Sequence, residues 1–448
     1  MRNKLKIILI ITSFLALQVN AQEKKTLGLN EAIDLSLQNS KELKTSQAKI
    51  DEATAAAREA LNNRLPDAKL GAAYLRFTTP DFQLKTKTNA GGSGSSGSGN
   101  AIESPKMNQA MYSMLNVSLP IYTGGRIRYG IESSRFLEQA VRLDAEDDKD
   151  EVIQNTIEAF ANLFKAKTAV RLVKENLAQS QHREQDLGNM EKNGLLARND
   201  FLKAQLQTSN VELSLLDAEN NQQLANINMD LMLGLPTTTE LVLDTTGIER
   251  KPDNRVLDDY LNAALNGRKD FAAADLRKKA AESGVKSAKG EMYPNIAVTG
   301  GYIAANVPNF FTLTNAMDVG VGFSYNIGSL WKNKAKVQQA QSRVKQLSLQ
   351  ESVLDDKIRL EVNKNYLSML SQRKKIEVYS KAVEQAEENY RIVKNKFDNS
   401  LATTSDLIDA DIAQLQARLS FTLARADAFV AYHKLLQTAG ILSSEMRK

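Results

Sequence analysis

Few residues of this 448-residue chain have types and spacings suited to chemistry, and most of those are carboxylates beside two polar turns. Asp406 and Asp409, in the run SDLIDA, are three apart and so share one face of a helix. Asp200 follows Arg198 closely in the run ARND. Carboxylates brought together on one face favour cations and raise one another's pKa values. A plainer reading competes with this one. Asp406 stands three residues after Thr403, the spacing of a capping box, and acids in a first helical turn are favoured by the helix dipole. Asp200 admits the same reading.

The rest of the sequence offers little catalytic material. His182 and His433 lie far apart on predicted helices, so no metal site and no catalytic dyad is expected. There is no cysteine, which excludes disulfides and thiolate ligands. No Walker A loop or G-x-S-x-G elbow occurs, and the run GGSGSSGSG follows no buried strand and opens no helix. The pairs Asp147–Asp148 and Asp355–Asp356 read as solvated helix faces. The expectation is a protein without enzymatic activity, cofactor or metal. The 58 Lys and Arg against 53 Asp and Glu give a net charge of +5, but Arg2, Lys4 and Lys6 lie in a leader. No basic stripe with interleaved aromatics appears, so no nucleic-acid partner is expected.

That leader, residues 1–21, has basic residues, an apolar run from Ile7 to Leu17, and small side chains at Val19 and Ala21, the pattern of a secretory signal. Beyond it the chain is written twice. Residues 29–66 align without a gap on 257–294 at an offset of 228. Each copy reads helix, proline, two alternating strands, a long helix, a tip and a second long helix. The first repeat is set at 22–236, with a helix over 29–64, strands near 68–78 and 112–123, and helices near 126–192 and 199–233. A linker, 237–256, holds at most one short strand, Leu241–Leu243. The second repeat, 257–440, has strands near 295–306 and 318–327, helices near 329–398 and 405–438, and a tail at 441–448.

The strands are apolar on one side and small or polar on the other: Val319, Val321, Phe323, Tyr325 and Ile327 against Asp318, Gly320, Gly322, Ser324 and Asn326. This alternation fits an outer-membrane barrel strand and a half-buried soluble hairpin equally. If these strands enter lipid, four cannot close a barrel, and three chains sharing one would supply twelve. The proline-free helical stretches extend ~100 Å at 1.5 Å per residue, too long for one globule, and are suited to side-by-side coiled-coil packing.

The order of these parts, the junctions LPDAKLGAAY and YPNIAVTGGY, the strand-to-helix exit LPIYTGGRIRYGIESSR, and the tips NGLLARNDFLKAQ and NSLATTSDLIDADIAQ together resemble the TolC-like outer membrane efflux proteins. The resemblance covers nearly the whole mature chain. It implies a mostly α fold with a membrane β portion: a homotrimer whose twelve-stranded β-barrel, set in outer membrane lipid, continues into a long α-helical barrel through the periplasm of a Gram-negative bacterium. The implied function is a passive exit duct for an inner-membrane pump or type I secretion system. Its periplasmic tips would be gated by acidic rings at Asp406 and Asp409, with Asp200 in the closing bonds. Phe397 falls where the family has an aromatic gate partner but lacks a hydroxyl, and Ala402 falls where the family has a basic residue, leaving Arg198 as a nearby cation. The tips Asn193, Gly194, Leu195, Leu196 and Ala197, with Asn399, Ser400, Leu401, Ala402 and Thr403, would dock a periplasmic adaptor. The competing function is a soluble periplasmic coiled-coil adaptor or scaffold of an export complex.

Overall fold

The computed structural model describes residues 24–78, 108–244, 255–308 and 311–446. The expected signal, the Gly/Ser-rich run, residues 245–254 of the expected linker and the last two residues of the tail lie outside the described residues. The chain divides into two compact units. One comprises the described parts of Met1–Ile50, Val141–Ala273 and Gln350–Lys448; the other comprises the described parts of Asp51–Ala140 and Ala274–Leu349.

Nine helices and six strands occur among the described residues. In chain order they are β1 (Lys24–Leu27), α1 (Leu29–Asn39), α2 (Lys41–Asn62), β2 (Asp67–Arg76), β3 (Gln109–Tyr122), α3 (Arg126–Lys192), α4 (Arg198–Leu233), β4 (Glu240–Leu243), α5 (Leu257–Gly267), α6 (Lys269–Gly290), β5 (Asn295–Val307), β6 (Phe311–Ser324), α7 (Ser329–Asp398), α8 (Thr404–Thr438) and α9 (Leu442–Met446). No helix among the described residues is long and apolar enough to cross a membrane.

The unit containing Asp51–Ala140 carries a four-stranded antiparallel sheet of order β2-β3-β5-β6, and no strand among the described residues pairs with the outer edge of β2 or β6. Cross-strand partners share a face, so the register sorts side chains into rows. On one face the rows Tyr122–Ile296–Phe323, Leu119–Val298–Val321, Ala68–Val117–Gly300–Val319 and Leu70–Leu115–Tyr302–Met317 are apolar throughout. Val319 is 87% exposed and Met317 79%, so nothing among the described residues covers this face at its β6 edge. The opposite face is polar only in its helix-proximal rows, Asp67–Ser118–Thr299–Gly320 and Lys69–Asn116–Gly301–Asp318. Beyond them it turns apolar, through Gly71–Met114–Ile303–Ala316 and Ala73–Tyr112–Ala305–Leu313. The simple polar and apolar alternation expected of these strands therefore holds over half their length. β6 also begins at Phe311, seven residues before its expected start at 318. A register shift between Ile303 and Ala305, opposite Asn315 with φ 59°, interrupts the alternation there.

Strand and helix meet at a backbone crossing in the same unit. Gly124 has φ 62°, and a Cβ on it would lie 2.1 Å from the Gly290 carbonyl oxygen. Arg126, at the first turn of α3, donates to Asn295 Oδ1 at 2.9 Å and so ties the exit of β3 to the start of β5.

In the other unit, the core gathers Ile157, Phe160, Leu163, Tyr260, Ile358 and Leu435, all fully buried. β1 pairs in parallel with β4 against this core; the first of these strands was not expected from sequence. The single helix expected over 29–64 is two helices. Ser40 adopts ψ 121°, and its Oγ accepts from the Leu43 N–H at 3.2 Å, capping α2. The second copy breaks 228 residues later, at Arg268 with ψ 128°. Each break is packed against a left-handed glycine: a Cβ on Gly234 would clash with Asn39, and one on Gly440 with Gly267 and the Arg268 N–H. The duplication thus extends to matching kinks and the glycines that accommodate them.

Arg268 anchors a charged cluster at its break. It donates to both Asp270 oxygens, at 3.0 and 2.7 Å, and to Glu361 at 2.9 Å. Asp147 lies beside this cluster and is half-buried, so the solvated face expected at Asp147–Asp148 is corrected. Burial, with the Asp270 charge added, pushes its carboxyl up to about 6 against the opposing Arg268. Asp148 accepts from Ser46 Oγ.

Candidate functional site: two helical tips

The two tips are built alike. In the first, α3 ends at Lys192 and Gly194 takes φ 73°, so that the Leu195 N–H returns to the Met190 carbonyl at 2.8 Å. In the second, α7 ends at Asp398 and Ser400 takes φ 60°, so that the Leu401 N–H returns to Lys396 at 2.7 Å. This is the closure of a helix by one left-handed residue, with a leucine immediately after it. Leu195 is 73% exposed and Leu401 76%, so each tip presents an apolar side chain to its surroundings. Asn193, Ala197, Asn399 and Thr403 are also exposed, and Leu196 and Ala402 are partly so.

The tips align at an offset of 206, which brings Asp200 and Asp406 to equivalent places. Asp406 forms a complete capping box with Thr403. Its Oδ2 accepts from the Thr403 N–H at 2.8 Å and from the hydroxyl at 2.7 Å, while Thr403 Oγ1 accepts from the Asp406 N–H at 3.2 Å. Those two bonds hold the Asp406 carboxyl below the usual carboxylate range. Asp409 is exposed one turn further along. Asp200 has no such box, because Ala197 stands at the N-cap.

The cations are arranged differently from the sequence expectation. Arg198 Nη1 pairs with Glu191 Oε1 at 3.1 Å, across its own turn, and is not placed against Asp200. Asp200 takes Lys203 at 3.1 Å, and the same ammonium donates to Ser405 Oγ at 3.2 Å, linking the first tip to the second. Phe397 is partly exposed, and its carbonyl accepts the Ser400 N–H of the turn at 2.9 Å.

Behind the tips lies a buried charge network that the sequence did not announce. Arg183 of α3, 9% exposed, lies 3.0 Å from Oδ2 of Asp411 on α8, itself 1% exposed. Asn176 Nδ2 donates to the same oxygen at 3.1 Å. Asp411 Oδ1 and Arg183 Nη2 have no hydrogen-bond partner among the described residues, so charge attraction holds the pair more than bond alignment does. Such contacts join residues over two hundred positions apart, and no local pattern marks them. Elsewhere, His433 is buried with Nδ1 against the Phe429 carbonyl at 2.8 Å, a satisfied core histidine, and His182 is exposed. No group of His, Cys, Asp and Glu suited to a metal ion occurs among the described residues.

The chain thus combines a duplication, a four-stranded antiparallel sheet, two pairs of long helices and paired tips. The sequence model of the outer membrane efflux protein family matches residues 32–235 and 260–440, so the chain belongs to that family. Solved structures agree on the fold. The outer-membrane channel OprN is 17% identical with a TM-score of 0.75, the match covering 92% of this chain and 89% of that one. VceC from Vibrio cholerae is 19% identical with a TM-score of 0.73, over 92% and 96%. The CmeC outer membrane channel of Campylobacter jejuni is 16% identical with a TM-score of 0.75, over 92% and 86%. No curated protein sequence matches the chain. The family is one of channel proteins, and no catalytic family is indicated.

Proposed function

We propose that three copies of this chain form a passive exit duct in the outer membrane of a Gram-negative bacterium, serving an inner-membrane efflux pump or type I secretion system through a periplasmic adaptor. The observation that carries this reading is the sheet: four strands, an apolar face exposed along β6, and outer edges at β2 and β6 that no strand among the described residues pairs. An open edge is untenable in lipid, and closure by three copies gives a twelve-stranded barrel without edges. The long helices of each copy supply the helical barrel below it. A soluble adaptor would have no use for an uncovered face of this kind.

In this duct the tips form the periplasmic gate and the adaptor-docking surface. Asp406 and Asp409 supply two stacked rings of three carboxylates, with Asp200 and Lys203 in the contacts that close it. The capping box does not compete with the ring role, because Asp406 uses one oxygen for it and stays ionised at neutral pH. Replacing Asp406 and Asp409 together by alanine is expected to lower cation selectivity and weaken block by divalent cations in planar-bilayer recordings. Asp406→Ala also removes one arm of the capping box, the acceptor of the Thr403 N–H. Unchanged ion selectivity in a variant that still forms channels would return both residues to helix capping alone.

A further inference from the structure

Just beneath the sheet, three arginines surround one cavity with a single acid among them. Arg128 and Arg135 stand seven apart on α3, with Glu132 between them and Gln139 beyond, so all four share one helix face. Arg64, from the turn between α2 and β2, completes a cavity of about 280 Å³ walled by Ile131 and Phe136. The helix meets its neighbours with other faces. Ser133 Oγ donates to the Ala280 carbonyl of α6 at 2.9 Å, and Thr54 Oγ1 of α2 donates to Glu138 at 3.2 Å. The arginine face is turned away from the Ala280 contact and borders the Thr54 contact, since Glu138 is three residues from Arg135. Among the described residues none of the three guanidiniums forms an ion pair; Arg128 rests over the Tyr129 ring at 5.8 Å.

The position is informative. β2 begins at Asp67 and β3 ends at Tyr122, so Arg64 and Arg128 lie three and six residues from the strand ends where the apolar face stops. Arg135 is about 10 Å further along the helix, but helical side chains lean toward the N-terminus, which here is the sheet end. The open edges at which other copies would pair are β2 and β6, whereas α3 follows β3, an inner strand. Three planar cations against one acid, at the depth where the apolar band gives way, suit a phosphate ester by charge and by the paired donors each guanidinium offers.

We propose that this cavity binds the phosphate of an anionic phospholipid in the periplasmic leaflet of the outer membrane, one site per chain. The proposal rests on the barrel reading above. Basic residues at a membrane surface each strengthen anionic-lipid binding roughly fivefold, so three together are worth on the order of 100-fold. The test is native mass spectrometry of the full-length detergent-extracted protein with added phosphatidylglycerol or phosphatidylcholine, with and without excess inorganic phosphate. Expected is retention of up to three phosphatidylglycerols per trimer, little phosphatidylcholine, and no displacement by phosphate. The triple variant Arg64→Gln, Arg128→Gln, Arg135→Gln should lose the preference, and Glu132→Gln should sharpen it. Equal retention of both lipids by the unaltered trimer, or a preference that survives the triple variant, overturns the site. Displacement by inorganic phosphate reassigns it to a free anion and overturns the lipid proposal. If the triple variant fails to assemble, the Glu132→Gln comparison decides, an unchanged preference counting against the site. A chain that yields no membrane trimer at all overturns the barrel reading together with this one, whereas a trimer indifferent to headgroup charge overturns this one alone.

Discussion

Asp411→Ala is expected to destabilise the helical unit by about 3–5 kcal/mol, because it leaves Arg183 buried without its counter-charge. Arg183 is 9% exposed and its partner carboxylate 1%, so water cannot replace the lost oxygen without opening the packing between α3 and α8. Asn176 loses its acceptor in the same step. The cost should therefore exceed that of removing an exposed pair such as Arg171–Glu175, which is worth at most about 1 kcal/mol. The double variant Arg183→Met, Asp411→Leu separates charge from packing: with both charges gone and volume retained, most of the loss should be recovered, the remainder being the acceptor that Asn176 still lacks. Denaturant midpoints of the three proteins provide the comparison. A single Asp411→Ala that unfolds at the original midpoint would mean the carboxylate is not buried against Arg183.

The second large effect is expected at Gly124. Alanine there puts a Cβ at 2.1 Å from the Gly290 carbonyl oxygen and 2.8 Å from Tyr293 Cβ, both parts of a packed backbone crossing. It also forces a side chain onto a residue at φ 62°. The left-handed backbone alone costs about 1 kcal/mol, and the clash requires the strand exit and the end of α6 to part. A total above about 4 kcal/mol marks the exceptional class of substitutions. The expected result is loss of folded protein from the membrane fraction. Gly130→Ala serves as the control, since a Cβ on Gly130 has no atom within 4 Å, and it should fold normally.

Much of the element order was legible because it is set by local rules. Proline-free stretches with a sparse apolar seam predict long helices, and α3 runs Arg126–Lys192 and α7 Ser329–Asp398. Alternation marked the strand cores at Leu115, Val117 and Leu119 and at Val319, Val321 and Phe323. What escaped was non-local or conformational. The kinks at Ser40 and Arg268 arise inside runs with good helical patterning, and the partner glycines that accommodate them lie about 170–190 residues away. β1 is four residues long and is held by pairing with β4, more than two hundred residues on. The early start of β6 was hidden by the irregularity at Asn315.

The tips show the same division. The Thr403–Asp406 box has a fixed spacing and could be read directly. The cation of Asp200 could not be read this way: Arg198 is nearer in sequence, yet the turn swings it to Glu191, while Lys203, one turn inside the helix, reaches both Asp200 and Ser405. Arg183 and Asp411 looked like ordinary charges on polar helices, and only packing reveals that they are buried.

The central claim is that one chain supplies a third of a membrane barrel. Its most direct test is the mass of the detergent-extracted protein, measured before and after heating, from outer membranes separated by density from inner ones. The account predicts an outer-membrane species at three times the 49.5 kDa chain, less the leader, that collapses to single chains on heating. A monomer recovered in the soluble periplasmic fraction would contradict it, because four strands with two open edges have no stable place in lipid without their partners.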